Sequence, residues 1–278
     1  NVMGNSSGKK SNTVQGVKAT GLPPMSAAAA EAKGLPQPGQ RWRGVKVVQA
    51  YPLGKDAKGA LFISAGSIID FEGDAIVNAA NEGCITGGGV DGAVTSSGGD
   101  ALAEARRNLP VLEGTRNVRC RTGDAVITIG GDLKAQYCIH AVGPNYGVML
   151  YSSKGVSIED CDALVSNAYV QSLKRAQEKA LRTVGFSLLS SGIFRGPQSL
   201  EKILEAGVLG VLQGAYPELE EVHLIAFTRA ELQSLQDVCA ALFREGTSSP
   251  SSPASAAPSS PARPAADAAT ASPKAQPD

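Results

Sequence analysis

Short apolar runs alternate with amphipathic segments along the middle of the chain. Runs rich in β-branched and aromatic residues predict strands at 46–51, 60–64, 74–80, 125–129, 137–142, 184–190 and 222–227. Apolar residues at helical spacing predict helices at 100–108, 160–179, 200–212 and from Thr228 onwards, where Thr228 and Glu231 fit a capping box. Because the later strands alternate with helices, we predict an α/β sandwich with a largely parallel central sheet. The two opening strands have no helix between them, which favours a mixed sheet.

The two ends of the chain lack this pattern. Residues 1–40 are rich in Gly, Ser, Ala, Lys and Pro, and residues 245–278 consist almost wholly of Ser, Pro, Ala and Gly. Such segments bury too little apolar surface to offset the entropy lost on folding. The stretch 26–34 has helical composition but no second face to bury. We therefore predict disordered tails at 1–40 and 245–278 around one folded domain at 41–244.

Composition narrows the possible partners. Lys plus Arg and Asp plus Glu both number 26, so the chain has no net charge that would attract nucleic acid in general. Its 5 cysteines have no CxxC spacing and its 2 histidines lie far apart, so we expect no metal and no cofactor. The odd, sparse cysteines suit an intracellular, reducing compartment. No apolar run approaches the roughly 18 residues that span a bilayer, so we expect no membrane partner.

The stretch DAIVNAANEGCITGGGVDG at 74–92 carries the strongest chemical signal. Ligands of open α/β sheets bind beyond the carboxyl ends of the strands, and this stretch follows such an end. Glycines without a Cβ allow close approach to a ligand, and consecutive N–H groups can bind an anion. Asn78 and Asn81 supply donors and acceptors suited to sugar hydroxyls. The GxxxxGK[ST] pattern of a phosphate-binding P-loop is absent. Taken alone, the glycine run is equally consistent with a mobile loop.

A second loop has similar character. The predicted strand ending in SLLS runs into S-G-I, and a helix follows from about residue 199. Small residues between a strand and a helix suit contact with phosphate. Two loops of this kind at one sheet edge favour a ligand with a phosphate group.

Three separate strings, taken together, resemble the macro domain family. They are ISAGSIIDFEGDAIVNAANEGCITGGGVDGAV, RTGDAVITIGGDLKAQYCIHAVGPNY and SLLSSGIFRGP, in the family's order and without large gaps from about residue 61 to 229. The resemblance implies a three-layer α/β/α sandwich with a mixed, mostly parallel central sheet. It also implies a cleft for ADP-ribose.

The resemblance implies roles for individual residues. Carried over position by position, it places Ser67 and Ile68 at the adenine, Asn78 and Asn81 near the distal ribose, Gly87, Gly88, Gly89 and Val90 around the diphosphate, Ser190, Ser191, Gly192 and Ile193 on its other side, Phe194 against the ribose, and Asp91 beside the distal ribose. Asp91 and Asn81 are the catalytic candidates. From the residues alone, Asp91 could instead be a helix N-cap or a solvated loop acid, and Phe194 a core aromatic. His140 reads as a packed strand residue.

The chain departs from the family pattern at three positions. Ser67 stands where an aspartate normally accepts a hydrogen bond from adenine, so we expect binding about tenfold weaker. Asp70 cannot be assumed to replace that aspartate. Thr95 stands where many hydrolases of the family carry histidine, and a hydroxyl cannot act as an acid or base near pH 7. Arg195 stands where glycine is common; it either clamps an anion or faces solvent.

Three functions fit these residues. The first is hydrolysis of ADP-ribosyl adducts: ester-linked ADP-ribose on acidic side chains, or O-acyl- or phospho-ADP-ribose. The second is a non-catalytic reader of ADP-ribosylated partners, which Ser67 and Thr95 favour. A third, processing of phosphate-bearing fragments derived from RNA, depends on Arg195 alone. The expected partner is ADP-ribose or an ADP-ribosylated protein or metabolite, and we expect a monomer.

Overall fold

The structure is a computed structural model that describes residues 22–54, 58–152 and 155–244. Its strands are β1 (Arg41–Trp42), β2 (Val45–Pro52), β3 (Ala60–Ala65), β4 (Ala75–Ala79), β5 (Ala125–Ile129), β6 (Tyr137–Ala141), β7 (Thr183–Ser187) and β8 (Glu221–Ala226). Its helices are α1 (Ala27–Ala32), α2 (Val90–Arg107), α3 (Tyr146–Ser152), α4 (Ile158–Glu178), α5 (Leu200–Gly214) and α6 (Arg229–Arg244), with 3-10 helices at Ile68–Asp70 and Ile193–Arg195. All seven predicted strands and the predicted helices after 160, 200 and 228 are present, within a few residues of the expected bounds.

The strands form one mixed sheet in the order β1-β2-β3-β8-β7-β4-β6-β5. The five central strands β3, β8, β7, β4 and β6 are mutually parallel, and the outer pairings β1–β2, β2–β3 and β5–β6 are antiparallel. Every residue of β7 and β8 is buried, as expected for parallel strands covered on both faces. The predicted mixed, mostly parallel sheet is confirmed, and its five parallel strands end at one common edge.

Helices cover both faces of the sheet. The larger apolar core lies between one face and helices α4, α5 and α6, through residues such as Val165, Val208 and Leu235. On the opposite face Val94 and Leu102 of α2 pack with Ile76 of β4. The three-layer α/β/α architecture implied by the resemblance is therefore confirmed. Among the described residues, no helix is both long and apolar enough to cross a membrane.

Helix α2 begins ten residues earlier than its predicted start at residue 100. Within it, Gly99 has φ 64° and ψ −165°, which is not helical, so the second half points in a new direction. Glycine readily adopts this backbone conformation, and a Cβ at Gly99 would overlap the carboxylate of Asp132. The predicted segment 100–108 is the second half of α2. The glycine pair at 98–99 hid the first half, because glycine disfavours helix.

Residues 22–40 differ from the predicted tail. Ser26 caps α1 by accepting a hydrogen bond from the Ala29 N–H at 3.2 Å, and Ala30 is buried. Met25 and Leu35 pack against a small apolar cluster that Val47, Ala50, Ala60 and Phe62 of β2 and β3 form. β2 and β3 thus provide the apolar surface against which this segment packs, and the sequence pattern did not reveal that surface. Residues 1–21 and 245–278 lie outside the described residues, so the predicted tails there stay predictions.

Helices α4 and α5 pack with unusually close backbones. A Cβ at Gly210 would lie 2.5 Å from the Ser166 carbonyl oxygen, and one at Gly207 would lie 2.9 Å from the Tyr169 ring. The Tyr169 hydroxyl in turn accepts a hydrogen bond from the Leu189 N–H at 3.0 Å. Leu189 follows β7, so this helix pair fixes the chain where it leaves the sheet.

Candidate functional site

A cleft of about 820 Å³ opens at the common carboxyl edge of the parallel strands. The segments that follow β3, β8, β7, β4 and β6 all contribute to its wall. Neighbouring strands lie about 4.8 Å apart, so five strands give the cleft a length of about 19 Å. The location matches the expectation for an open α/β sheet, and the shape suits an elongated ligand.

One end of the cleft lies over β3 and β8. The predicted residues Ser67 and Ile68 line it, together with Phe227 and Glu231, which the sequence analysis did not assign to the site. The Phe227 side chain is 78% exposed, unusual for a large aromatic residue. Glu231 Oε2 accepts hydrogen bonds from the Phe227 N–H at 3.1 Å and the Thr228 N–H at 2.9 Å, so the predicted capping box also shapes this end. Asp70 is not among the lining residues, and its carboxylate lies 3.9 Å from Lys134 Nζ.

The glycine loop forms one side of the middle of the cleft. Gly87, Gly88, Gly89 and Val90 all line it. A Cβ at Gly88 would meet no atom within 4 Å, so the backbone there faces open space. Gly89 has φ 59° and is the N-cap of α2. The amino end of α2 therefore opens into the cleft, and its N–H groups and partial positive charge favour an anion.

The second predicted loop forms the other side. Ser190, Ser191, Gly192, Ile193 and Phe194 all line the cleft. Ser190 has φ 57°, an uncommon conformation for serine, and its hydroxyl donates to the Pro144 carbonyl oxygen at 2.9 Å. The Ile193 side chain is 94% exposed, and Phe194 is half-buried at the cleft wall rather than in the core. The backbone of this loop, not its serine hydroxyls, is presented to a ligand.

Asp91 lies at the far end of the cleft, in the first turn of α2 and not at its N-cap. The residue is only 2% exposed. Its Oδ1 accepts hydrogen bonds from Asn78 Nδ2 and from Arg106 Nη2, both at 2.7 Å. Its Oδ2 is buried and has no hydrogen-bond partner in the described part of the chain. A Cβ at Gly87 would lie 2.7 Å from this oxygen, so Oδ2 sits directly under the glycine loop.

Asn78 is fully buried and does not line the cleft, unlike the other predicted site residues. Its Nδ2 lies 3.3 Å from His140 Nδ1, and His140 Nε2 lies 2.9 Å from Thr128 Oγ1. Because the amide nitrogen can only donate, His140 Nδ1 accepts and Nε2 carries the proton. Burial, assisted by the nearby Arg106 charge, lowers the pKa of His140 to about 3. His140 is thus a neutral, packed strand residue, and Asn78 holds Asp91 from behind.

Asn81 lines the cleft near Asp91. Its Nδ2 donates to the Thr86 carbonyl oxygen at 2.9 Å, and its Oδ1 accepts from the Gly83 N–H at 3.0 Å. Both ends of the amide therefore shape the loop between β4 and α2. Asn81 can offer a ligand only the remaining hydrogen-bonding capacity of these atoms.

The cleft wall within the described residues contains two carboxylates, Asp91 and Glu231, and no lysine or arginine. Arg195, the basis of the third functional hypothesis, is half-buried outside the wall. Thr95 also lies outside it, and its hydroxyl accepts a hydrogen bond from Arg106 at 2.7 Å. No group of three or more His, Cys, Asp or Glu side chains in the described ranges could hold a metal ion. An anion in this cleft would meet backbone N–H groups and a helix amino end.

Arg106 lies behind the cleft, and sequence reasoning did not assign it to the site. Its side chain is fully buried behind the cleft, where it contacts Asp91 and Thr95. No motif signals it, because it lies 15 residues from Asp91 in the chain and the two meet only through the break in α2.

Comparison with known proteins places this architecture among macro domains. The family model described as Macro domain matches residues 77–201. A macro domain-containing protein of Cupriavidus necator is 41% identical over 162 residues, covering 58% of this chain and 87% of the relative. A protein of Pantoea vagans named O-acetyl-ADP-ribose deacetylase 1 is 37% identical over 163 residues, covering 58% of this chain and 88% of that protein. The Oceanobacillus iheyensis macrodomain, solved with ADP, shares the fold with a TM-score of 0.59 at 23% identity, covering 70% of this chain and 96% of that one.

Proposed function

The chain belongs to the macro domain family, and from that premise we propose that its cleft binds ADP-ribose and hydrolyses ester-linked ADP-ribosyl adducts. These adducts are ADP-ribose on acidic side chains or O-acyl-ADP-ribose. The observation that carries the proposal is the order of groups along the cleft: an exposed aromatic ring at one end, two backbone loops in the middle, and a buried carboxylate at the other end.

The base would occupy the end over β3 and β8. Phe227 offers an exposed ring face for stacking, and such aromatic contacts contribute about 0.5–1.5 kcal/mol beyond area burial. Ser67 and Glu231 are the polar side chains at this end. Among the described residues, Glu231 Oε1 accepts only from the Ser191 hydroxyl, at 3.2 Å, so it keeps capacity to accept from an exocyclic amine. We propose that it takes over part of the role that the resemblance assigns to an aspartate at Ser67.

The diphosphate would lie between the two loops. The amino end of α2 supplies N–H groups and partial positive charge from one side. The backbone from Ser190 to Phe194 faces it from the other side. This arrangement replaces the cationic side chains that the cleft wall lacks, and it selects for shape as well as charge.

The distal ribose and its ester would reach Asn81 and Asp91. Asp91 is the titratable side chain at this end of the cleft. In the proposed reaction, Asp91 orients the ribose and a water molecule. The water attacks the ester carbonyl carbon, the bond to the ribose oxygen breaks, and the ribose hydroxyl takes up a proton. The products are the free acid and ADP-ribose.

The test measures release of acetate from O-acetyl-ADP-ribose by wild type, Asp91→Asn and Asp74→Asn. Asp74 lies at the opposite end of β4, where its Oδ2 accepts from the Arg182 and Thr183 N–H groups, so it is a matched acid outside the cleft. We expect Asp91→Asn to lower kcat about 100-fold, as loss of a preorganised group commonly does, and Asp74→Asn to keep the wild-type rate. Equal rates for all three proteins would refute the hydrolase.

A reader function remains the second candidate, because Asp91 Oδ2 is buried under Gly87 and Thr95 is engaged by Arg106. Calorimetry with ADP-ribose, ADP and AMP, combined with the acetate-release assay, separates the two functions. Tight binding of ADP-ribose without turnover identifies a reader. Absence of ADP-ribose binding by the wild-type protein would eliminate both.

A further inference from the structure

The Arg106 guanidinium lies fully buried behind the cleft and has three partners. Its Nη2 donates to Asp91 Oδ1 at 2.7 Å, its Nη1 donates to Thr95 Oγ1 at 2.7 Å, and its Nε donates to the Cys84 carbonyl oxygen at 2.6 Å. The side chains of Arg106 and Asp91 are 0% and 3% exposed. All three partners belong to the chain segment that forms the distal end of the cleft.

This contact depends on the break in α2. Asp91 and Arg106 are 15 residues apart in one helical element. In a continuous helix that separation would be about 22 Å, far beyond the reach of a side chain. Gly99 turns the second half of α2 back, so Arg106 lies behind the first turn instead of beyond the last one. The break therefore delivers a cation to a carboxylate at the helix amino end.

Thr95 forms hydrogen bonds with both Asp91 and Arg106. Its hydroxyl donates to the Asp91 carbonyl oxygen at 2.8 Å, so its lone pairs face Arg106 Nη1. The guanidinium is thereby held in its plane by Thr95 on one nitrogen and by Cys84 on another. With the guanidinium fixed, the carboxylate that it grips is fixed as well.

We infer that Arg106 and Thr95 are positioning residues for Asp91. Arg106 and Asn78 occupy Oδ1, and this leaves Oδ2 directed at Gly87, on the cleft wall. A buried ion pair stabilises a fold little more than apolar packing would, so the larger effect here is on where the carboxylate points. This inference rests on the proposed function and deepens it: the pair sets the preference for a ligand with a second ribose over one without it.

The experiment compares ADP-ribose with ADP by calorimetry, because ADP keeps the base, the proximal ribose and the diphosphate but lacks the distal ribose. Thr95→Val removes the acceptor of Arg106 but keeps shape and the ion pair. We expect it to weaken ADP-ribose binding about fivefold, because the guanidinium loses one of the hydrogen bonds that fix it, and to leave ADP binding within about twofold. Thr95→Ser restores the hydroxyl and should recover most of the preference. Arg106→Lys keeps the charge but loses the fork, and should weaken ADP-ribose binding selectively by tenfold or more.

Ser172→Ala is the matched control. Ser172 is buried in α4, and its hydroxyl donates to the Ala168 carbonyl oxygen at 2.7 Å, the same local hydrogen bond as in Thr95 but without a cation. Equal losses for ADP and ADP-ribose in Thr95→Val, or no loss for either, would overturn the inference while leaving the proposed function intact. Wild-type protein that fails to prefer ADP-ribose over ADP would overturn both.

Discussion

Two buried carboxylates in this domain have neighbours of nearly the same kinds. They differ in whether both of their oxygen atoms accept hydrogen bonds. The cleft cluster consists of Asp91, Arg106, Asn78, His140 and Thr128. The hairpin cluster consists of Glu221, Arg43, Trp42, His223 and Ser64. Each contains a carboxylate, an arginine and a fully buried histidine bonded to a hydroxyl. Residues 43 and 44 of the β1–β2 turn have φ 47° and 76°, a tight hairpin that carries Arg43 and Trp42 to Glu221.

In the hairpin cluster both carboxylate oxygens are satisfied. Glu221 Oε1 accepts from Arg43 Nη2 at 3.0 Å, and Oε2 accepts from Trp42 Nε1 at 3.0 Å and from Arg43 Nε at 2.5 Å. Burial would raise the pKa of Glu221, but hydrogen bonds from His223, Arg43 and Trp42 outweigh it and hold that pKa at about 2. In the cleft cluster one oxygen of Asp91 has no partner within the described ranges. A satisfied cluster fastens the fold, whereas an unsatisfied acceptor beside a cleft indicates a functional position.

Replacing the arginine of each cluster should reveal the largest difference in stability between the two clusters. We expect Arg106→Met to lower the free energy of unfolding by about 3–5 kcal/mol, because Asp91 is left buried without a counter-charge. Arg43→Met should cost about 1–2 kcal/mol, because Arg43 is 27% exposed and Glu221 keeps its other donors. Urea unfolding at pH 7 measures both, with Arg182→Met, 63% exposed, as a control near zero. Similar losses for the two buried sites would contradict this interpretation.

Acid should separate the contributions of His140 and Glu221 to stability by pH window. His140 has a folded pKa of about 3 and an unfolded pKa near 6.5, so between these values only the unfolded chain binds its proton. Stability therefore falls as pH falls from about 6.5 toward 3, by at most about 1.4 kcal/mol per unit from this residue. Glu221 contributes stability above its unfolded pKa of 4.5 that is lost as pH falls through about 2.

Urea unfolding from pH 7 to pH 3 tests this separation. His140→Gln should flatten the slope between pH 6.5 and pH 4, and Glu221→Gln should flatten it only below about pH 4.5. Burial lowers the pKa of His223 as well, although Glu221 opposes this shift. His223 therefore also reduces stability as pH falls, and part of the slope between pH 6.5 and pH 4 should remain in His140→Gln. An unchanged slope in His140→Gln would show that the histidine is not neutral in the fold.

Alanine in the glycine loop should sharpen the cleft side of the comparison, because two neighbouring glycines differ in the room that a methyl group would find. At Gly87 a Cβ would lie 2.7 Å from Asp91 Oδ2 and 3.2 Å from Asn81 Nδ2, so Gly87→Ala should cost about 1–3 kcal/mol. At Gly88 a Cβ meets nothing within 4 Å, so Gly88→Ala should leave the unfolding midpoint unchanged. If the backbone there approaches a diphosphate, Gly88→Ala still weakens ADP-ribose binding about tenfold. Full affinity in Gly88→Ala would place the phosphates elsewhere.

The sequence was sufficient where local signals carried the information. Buried strands such as β3 read as largely apolar runs, and the Thr228 capping box forms as predicted, with the Glu231 N–H donating to Thr228 Oγ1 at 3.1 Å. Both backbone loops of the cleft followed from small residues after strands. Element α1 was missed because its buried face is provided by β2 and β3, which no local pattern reveals.

Other features could not be read from the chain because they depend on tertiary geometry. Arg106 reaches Asp91 only through the break at Gly99. The capping box explained Glu231 fully at the level of sequence, so nothing indicated that this residue also lines the cleft. Asn78 was assigned to the site because its amide suits sugar hydroxyls. In the fold its side chain is buried and donates to Asp91 instead of lining the cleft.

The contact between Gly207 and Tyr169 links the packing of α4 and α5 to the backbone of the second loop of the cleft. A methyl group at Gly207 would press on the Tyr169 ring, whose hydroxyl accepts the hydrogen bond from the Leu189 N–H. Leu189 directly precedes Ser190, which has the uncommon backbone conformation of the second loop. We therefore expect substitutions between α4 and α5 to shift the second loop without changing any residue of the cleft wall. A mutational screen confined to cleft residues would not include these positions.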